Sequence, residues 1–242
     1  MKIKFLGTGE AFSGKANTSI LIDGEILLDC GMQTLQQIMK TKQPLSEIKM
    51  IFISHLHADH FFGIPAFLLA CLEDGRKNDL EILGISGTGE YIEKLLNLAY
   101  RKRLSDFDFN INFTEIKEIN GIYREFEFNG YRFNFAPVRH SIPSLAVSVR
   151  GRCGEKVTYT SDGEITGELR ELAKDSDLLI AEAYMEGVRG HSSIPGALKL
   201  LKQTNSGKLA LVHISRKEKI DHYKIKEIKG VFVPCDLDEV EI

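Results

Sequence analysis

Tryptophan is absent from this chain, cysteine is scarce, and neither sign of charge dominates. The last two each argue against a class of protein. Cys30, Cys71, Cys153 and Cys235 are widely scattered with no Cys-x-x-Cys pair, so neither a small disulfide framework nor a cysteine-built structural zinc site is expected. They read as buried free thiols. A formal net charge of −3 argues against a general nucleic-acid-binding surface. Basic clusters occur at Arg101-Lys102-Arg103, Arg150-Gly151-Arg152 and Arg216-Lys217, but short runs of this kind are mostly solvated faces of helices and turns. The longest apolar patch, Phe61 to Leu72, is interrupted by Gly63 and Pro65 and is too short to span a bilayer. Met1 to Leu6 reads as a strand, without the extended apolar region of a secretion signal. A soluble, cytoplasmic protein with no membrane partner is expected.

What is present suits a compact enzyme. With 43% hydrophobic and 27% charged residues, the chain can bury a large core. It reads as a single domain over 1–242, in two halves of about 1–115 and 116–242. The densest chemical signal is Ser54-His55-Leu56-His57-Ala58-Asp59-His60, directly after the apolar run Met50-Ile51-Phe52-Ile53. An extended backbone points His55 and His57 to one side, and Asp59 and His60 fan out if the chain then turns into a helix. Two directions of approach suit two metal ions, and borderline-soft divalent ions take imidazole and carboxylate readily. A histidine-rich turn without metal is the bland alternative, and the fixed spacing of four residue types weighs against it.

The segment resembles the HxHxDH signature of the metallo-β-lactamase superfamily. Such a site needs later ligands, and three residues stand where apolar β-runs end. His140 follows Phe133 to Val138, Asp162 follows Lys156 to Thr160, and His213 follows Lys208 to Val212. Any one of these alone would be an ordinary structural residue as often as a ligand. By resemblance, His55, His57 and His140 hold one metal, Asp59, His60 and His213 the other, and Asp162 bridges them. Of the seven histidines, only His222 then reads as plain surface, because His191 belongs to a further motif.

A coarse pass gives three strands, a helix, a strand and a helix up to Leu72, a strand near Leu80 to Ile85, and a helix from Glu90 to Lys102. In Phe126 to Phe135, alternating aromatics flank Asn129-Gly130, the mark of a tight hairpin. Strands ending at Asp162, Ile180 and His213 alternate with helical stretches Gly167 to Lys174 and Pro195 to Thr204. The fold expected is α/β, the metallo-β-lactamase αβ/βα four-layer sandwich with two mixed sheets. Ligands would line the seam where strands of both halves end.

Within the superfamily, Phe5-Leu6-Gly7-Thr8-Gly9, Asn17-Thr18-Ser19, Leu28-Asp29-Cys30-Gly31 and Asp59-His60-Phe61-Phe62-Gly63-Ile64-Pro65 resemble the ribonuclease Z-like branch, which includes cyclic phosphodiesterases. These glycines mark the fold more than the substrate. Ala181-Glu182-Ala183 and His191-Ser192-Ser193 are similar to the paired acidic and His-Ser-Thr motifs of phosphodiesterases in that branch, where the histidine meets the substrate phosphate and the glutamate holds it. Ser193 in place of threonine keeps the hydroxyl and can cap the helix that Pro195 helps begin, and a helix N-terminus favours an anion. The resemblance therefore implies Asp59, His191 and Glu182 as catalytic residues and Ser192 and Ser193 as substrate-binding ones. The plain alternative makes Ser193 only a cap and His191 only a loop residue.

Two metal ions would lower the pKa of a bridging water until hydroxide attacks phosphorus, with His191, kept protonated by Glu182, serving the pentacoordinate state or the leaving oxygen. Zinc suits the nitrogen-rich ligands, and manganese, iron or cobalt could take the same geometry. The substrate divides the readings. Ribonucleases Z that trim precursor transfer RNA typically insert a long arm between the ligands corresponding to His140 and Asp162, whereas only 21 residues separate them here. A phosphodiesterase for a small or cyclic phosphodiester is therefore expected first. A ribonuclease Z-like endonuclease cutting transfer-RNA 3′ ends without that arm is the alternative, with a lactone or thioester hydrolase behind it and a binding protein with a degenerate site last. The sequence does not give the oligomeric state; enzymes of the branch it resembles are often dimers, which allows a homodimer. Loop Glu10 to Ala16 and segment Glu73 to Asn78 are candidates to cover the pocket.

Overall fold

Strands buried on both faces read as unbroken apolar runs, and Met50 to Ile53 is such a run, with all four residues buried. The structure, a computed structural model, describes residues 1–119 and 122–242. Its first half runs β1 (Lys2–Gly7), β2 (Ser19–Ile22), β3 (Ile26–Leu28), α1 (Thr34–Thr41), β4 (Met50–Ile53), α2 (Ala58–Phe61), α3 (Ile64–Glu73), β5 (Leu80–Gly84), α4 (Thr88–Tyr100) and β6 (Ile111–Glu115). The small pair β7 (Glu118–Ile119) and β8 (Ile122–Tyr123) leads into β9 (Phe126–Phe128), β10 (Tyr131–Val138), β11 (Ser144–Arg150) and β12 (Lys156–Tyr159). Then come α5 (Gly167–Ala173), β13 (Leu178–Glu182), α6 (Ile194–Thr204), β14 (Lys208–Val212), β15 (Val231–Phe232) and β16 (Glu239–Glu241).

Two seven-stranded sheets result, ordered β16-β1-β2-β3-β4-β5-β6 and β15-β14-β13-β12-β11-β10-β9. Each is antiparallel at one end and parallel at the other: β3 to β6 run parallel in the first sheet and β12 to β15 in the second. The period-two alternation of a strand sorts side chains to opposite faces. Phe52 faces the core between the sheets with Phe5, Phe133 and Tyr159, while its neighbours Ile51 and Ile53 pack outward against Phe67 of α3 and Ile92 of α4. Ile180 likewise faces inward, and Leu179 and Ala181 meet Leu169 of α5 and Leu200 of α6. The layers are therefore helix, sheet, sheet, helix, as the sequence implied. No helix among the described residues is long and apolar enough to cross a membrane.

The hairpin forms as read. Asn129 and Gly130 both take left-handed backbone, with φ of 48° and 80°, the turn whose twist matches the flanking strands. Three local readings shift. α4 begins at Thr88 rather than Glu90, where Gly87 turns left-handed and the Thr88 hydroxyl donates to the Ile85 carbonyl. β13 runs on to Glu182, whose amide donates to Thr160 Oγ1. The thiols divide: Cys30 and Cys71 are buried, but Cys153 and Cys235 are exposed.

Candidate metal centre

In open α/β sheets ligands gather beyond the carboxyl ends of the strands. Here β3 is followed by Asp29, β4 by His55, β12 by Asp162 and β14 by His213, while β13 ends on Glu182 and the long β10 on the approach to His140. Three of these corners are conformationally costly. Asp29, Ser161 and His213 have φ of 59°, 57° and 53°, a region that non-glycine residues enter rarely and mostly where function holds them there. A further close approach seats α2: a Cβ on Gly31 would lie 2.1 Å from the Asp59 carbonyl oxygen.

The seven expected ligands fall into two adjoining sets. His55, His57 and His140 bring one nitrogen each to a common point, and Asp59, His60, Asp162 and His213 bring one atom each to another, every set lying within 4.8 Å. In the first set His55 Nε2 and His140 Nε2 stand 3.2 and 3.1 Å from His57 Nδ1. Bonds of about 2.0 Å to a tetrahedral ion place nitrogens about 3.3 Å apart, so the spacing fits. Asp162 groups with the second set and not with the first, and its buried Oδ1 has no hydrogen-bond partner.

Groups behind the ligands fix which nitrogen is free, a common feature of metal-binding histidines. Ser54 Oγ donates to Asp29 Oδ2 at 2.8 Å and so accepts from His55 Nδ1–H at 3.0 Å. His60 Nδ1–H donates to the same Asp29 oxygen at 2.8 Å, and His140 Nδ1–H donates to the Gly190 carbonyl at 2.6 Å. His60 turns Nε2 toward Asp59 and Asp162, 3.4 Å from each, while the Nε2 lone pairs of His55 and His140 face inward toward His57, and acceptors that face one another cannot satisfy each other. A cation between them can, so the residues present fit divalent ions.

The two sets differ in charge. Burial pushes the imidazoles of His55, His57 and His140 below their ordinary pKa. Burial also lowers His60 and His213, but Asp162, with Asp29 beside the first and Asp59 beside the second, outweighs it and raises both. Burial would lift the carboxyls of Asp59 and Asp162, yet these same histidines hold them far below the carboxylate range.

Glu182 and His191 form a pair that adjoins the second set: with Asp162 they make a third group whose ligand-type atoms lie within 4.8 Å of one another, and Glu182 Oε1 is 3.7 Å from His213 Nδ1. Glu182 Oε1 accepts from His191 Nδ1, and its Oε2 accepts the amides of Gly163 at 2.8 Å and Ser192 at 2.9 Å. Burial lowers the half-buried imidazole, whereas burial and the charge of Asp162 push Glu182 well up. Ser193 Oγ caps α6 by accepting from Gly196 N–H at 3.3 Å, and Ser192 offers its amide to Glu182. Ser193 is thus engaged through its side chain and Ser192 through its backbone amide, and neither lines the cavity over the metal centre.

That cavity, of about 390 Å³, is lined by Glu10, Ala11, Phe12, Met32, His57, Ala58, Asp59, Asp162, Tyr184, His191 and His213. Loop Glu10 to Ala16 therefore contributes to it. Segment Glu73 to Asn78 does not, because Arg76 anchors it by donating to the carbonyls of Leu45, Ile48, Asn78 and Asp79. Sequence reasoning missed Asp29 as the common anchor of Ser54, His60 and Tyr159, and it missed Tyr184, which stacks on His191 with centroids 4.5 Å apart. A carboxylate right after three buried aliphatics was the available signal for Asp29. His222 is exposed, as read.

Comparison with known proteins agrees with the architecture. The family described as "Anti-Pycsar protein Apyc1" matches residues 1–233. A ribonuclease Z of Pediococcus pentosaceus is 30% identical over 312 aligned positions, spanning 100% of this chain and 99% of that protein. A ribonuclease Z of Methanococcus maripaludis is 40% identical over 157 residues, 62% of this chain and 49% of that protein, so this match spans about half the relative's length. Among solved structures, the short form of human tRNase Z (ELAC1) superposes with a TM-score of 0.83 at 27% identity, covering 100% of this chain and 99% of that one. Names of relatives thus favour the reading that the sequence placed second. Taken with the fold and the two converging ligand sets, the matches make this chain a member of the anti-Pycsar protein Apyc1 family, a metal-dependent hydrolase of the ribonuclease Z-like branch of the metallo-β-lactamase fold.

Proposed function

We propose that the protein is a phosphodiesterase that hydrolyses a small or cyclic phosphodiester. The carrying observation is the link between His140 and Asp162. There β11 and β12 pair directly from Val147–Tyr159 to Arg150–Lys156 and are joined by the short turn 151–155, which supports a site without an RNA-gripping arm. The alignment with the Pediococcus ribonuclease Z runs over 312 positions against 242 residues here, so that relative carries about seventy positions this chain lacks. A cavity of about 390 Å³ is of small-ligand size.

In this reading His55, His57 and His140 hold one ion, Asp59, His60 and His213 the other, and Asp162 is shared. Zinc is the metal that the nitrogen-rich donors favour. When bound, the two ions supply an activated water and neutralise charge on the phosphoryl oxygens. Each half of the chain contributes to both sets, so residues 1–242 act as one unit. Glu182 fixes the His191 ring through Nδ1, leaving Nε2 toward the cavity, where a proton held by the pair can pass to the leaving oxygen. Asp59 serves the chemistry through its ligand role, and Ser192 and Ser193 position Glu182 and α6.

The second reading, an endonuclease for transfer-RNA 3′ ends, is favoured by the names of the relatives and requires a docking surface other than the arm. One metal-reconstituted preparation separates the two. A ratio of kcat/KM strongly favouring 2′,3′- or 3′,5′-cyclic nucleotides over 3′-extended precursor transfer RNA is expected; preference for the RNA would replace the first reading with the second.

A further inference from the structure

The lining of the metal cavity divides chemically, and the chemistry above uses only part of it. His57, Asp59, Asp162, His191 and His213 are the polar residues that chemistry uses; Ala11, Phe12 and Met32 are apolar and have no task in it. Phe12 is 71% exposed and Met32 44% exposed, an unusual setting for two large apolar side chains beside a charged centre. Phe12 is also held in place. Its amide donates to Glu10 Oε2 at 2.6 Å, its carbonyl accepts from Arg216 Nη1 at 2.8 Å, and the guanidinium lies 5.5 Å from its ring centroid. Glu10 is itself only 2% exposed, and its Oε1 accepts the Arg216 amide at 3.4 Å. The His213 amide donates to the Thr8 carbonyl at 2.9 Å, and Gly9 bridges to Ile214. The segment that delivers a proposed ligand, 213–216, thus also fixes the loop that presents the ring.

Resting on the phosphodiester reading, we propose that Phe12, fastened by Glu10 and Arg216, is a stacking wall for the planar base of a nucleotide whose phosphate sits at the metal centre. An aromatic side chain has few torsions to lose on stacking, the fastened backbone of Phe12 keeps its ring at the cavity, and every base has a face to offer it. Met32 adds a soft, adaptable contact to the same apolar share of the cavity.

Equilibrium binding tests this without requiring turnover. The metal-loaded full chain is titrated with a nucleoside 5′-monophosphate and, separately, with inorganic phosphate. The intact protein should bind the nucleotide more tightly than phosphate by about 5- to 100-fold, the scale of one base stacked on one aromatic. Phe12→Ala should bring that ratio close to one with phosphate affinity unchanged, Phe12→Trp should keep it, and Arg216→Ala should lower it part of the way. An unchanged ratio in Phe12→Ala overturns the proposal, as does an equal loss for both probes, which would make the loop a support of the metal centre. A change in oligomeric mass with the ratio intact also overturns it and makes Phe12 an interface residue. Turnover decides the underlying reading separately: preference for precursor transfer RNA would remove the small-substrate function, whereas a cyclic nucleotide hydrolase with a Phe12-independent ratio would lose only the stacking wall.

Discussion

The set of His55, His57 and His140 and the set of Asp59, His60, Asp162 and His213 lie side by side but are built on opposite principles. The first is all imidazole, with His57 and His140 half-buried. Burial keeps its rings neutral, and Ser54 and the Gly190 carbonyl aim two of its nitrogens. The second is fully buried and carries two carboxylates whose charge holds protons on His60 and His213 when no cation is present. One set waits for a cation with lone pairs, and the other compensates for its absence with protons. The lesson is that the second set stores most of the electrostatic conflict, and perturbing it should have the larger consequences.

The largest effect is expected from Asp162→Ala. Asp162 lies 3.4 Å from His60 Nε2 and 3.2 Å from His213 Nε2 through one oxygen, and its other oxygen is buried without a partner. Removing it should strip metal from the second set, loosen the first, and lower kcat/KM by more than the about 10⁴-fold that losing one proton-transfer group can cost. Elemental analysis of the purified variant, beside the activity assay, checks both. Two ions retained per chain would mean that the sets are independent and that Asp162 is not shared.

Next in size, His191→Ala should keep both ions and lose about 10²- to 10⁴-fold in kcat. His191 sits beside the second set, bonded to Glu182 and stacked on Tyr184, without belonging to either ligand set. Metal loss in this variant would merge the Glu182 pair into the metal centre and dissolve the division of roles.

These contrasts were legible in the sequence to different depths. The run from His55 to His60 could be read outright, because a strand end followed at once by a helix keeps neighbours in sequence neighbours in space. His140, Asp162 and His213 could be read because each follows a buried strand, whose two-sided burial leaves an unbroken apolar run. Asp29 could not. Its contact with Ser54 and His60 exists only once β3 lies parallel to β4 in the register that pairs Leu28 with Phe52, and no local pattern carries that register. Phe12 and Tyr184 escaped for a related reason: loop residues show no periodicity, so their convergence on one cavity is a tertiary fact. The helix ends shifted by two residues where Gly87 and the Thr88 hydroxyl, rather than propensity, set the start.

A pH experiment sharpens the comparison of the two sets. His60 and His213 are raised above the usual imidazole value of about 6.5, so in the metal-free protein their protonation contributes stability that is complete below that value and lost as pH rises through the folded pKa. Asp59 and Asp162 are depressed, so their contribution is present above the ordinary carboxylate range and lost as pH falls through the folded pKa. Metal must displace the histidine protons, and its affinity at the second set should rise with pH. The first set is lowered and already neutral, so its affinity should change little near neutrality. Dialysis between about pH 8 and pH 6 should therefore release one equivalent and keep the other, with the retained ion missing in His140→Ala. Joint release of both ions would erase the distinction.

The smallest effect is expected at Ser193, and it bears on what holds the Glu182 pair in place. Ser193 Oγ accepts from Gly196 N–H at the start of α6, and its neighbour Ser192 donates its amide to Glu182. An alanine there should cost about 1 kcal/mol, or a fall of about 2–4 °C in Tm for a domain of this size, with KM unchanged. Raised KM at unchanged Tm would instead return Ser193 to the substrate. The Ser193 hydroxyl then would read the phosphate directly, and the helix cap would be an incidental contact of the resting site.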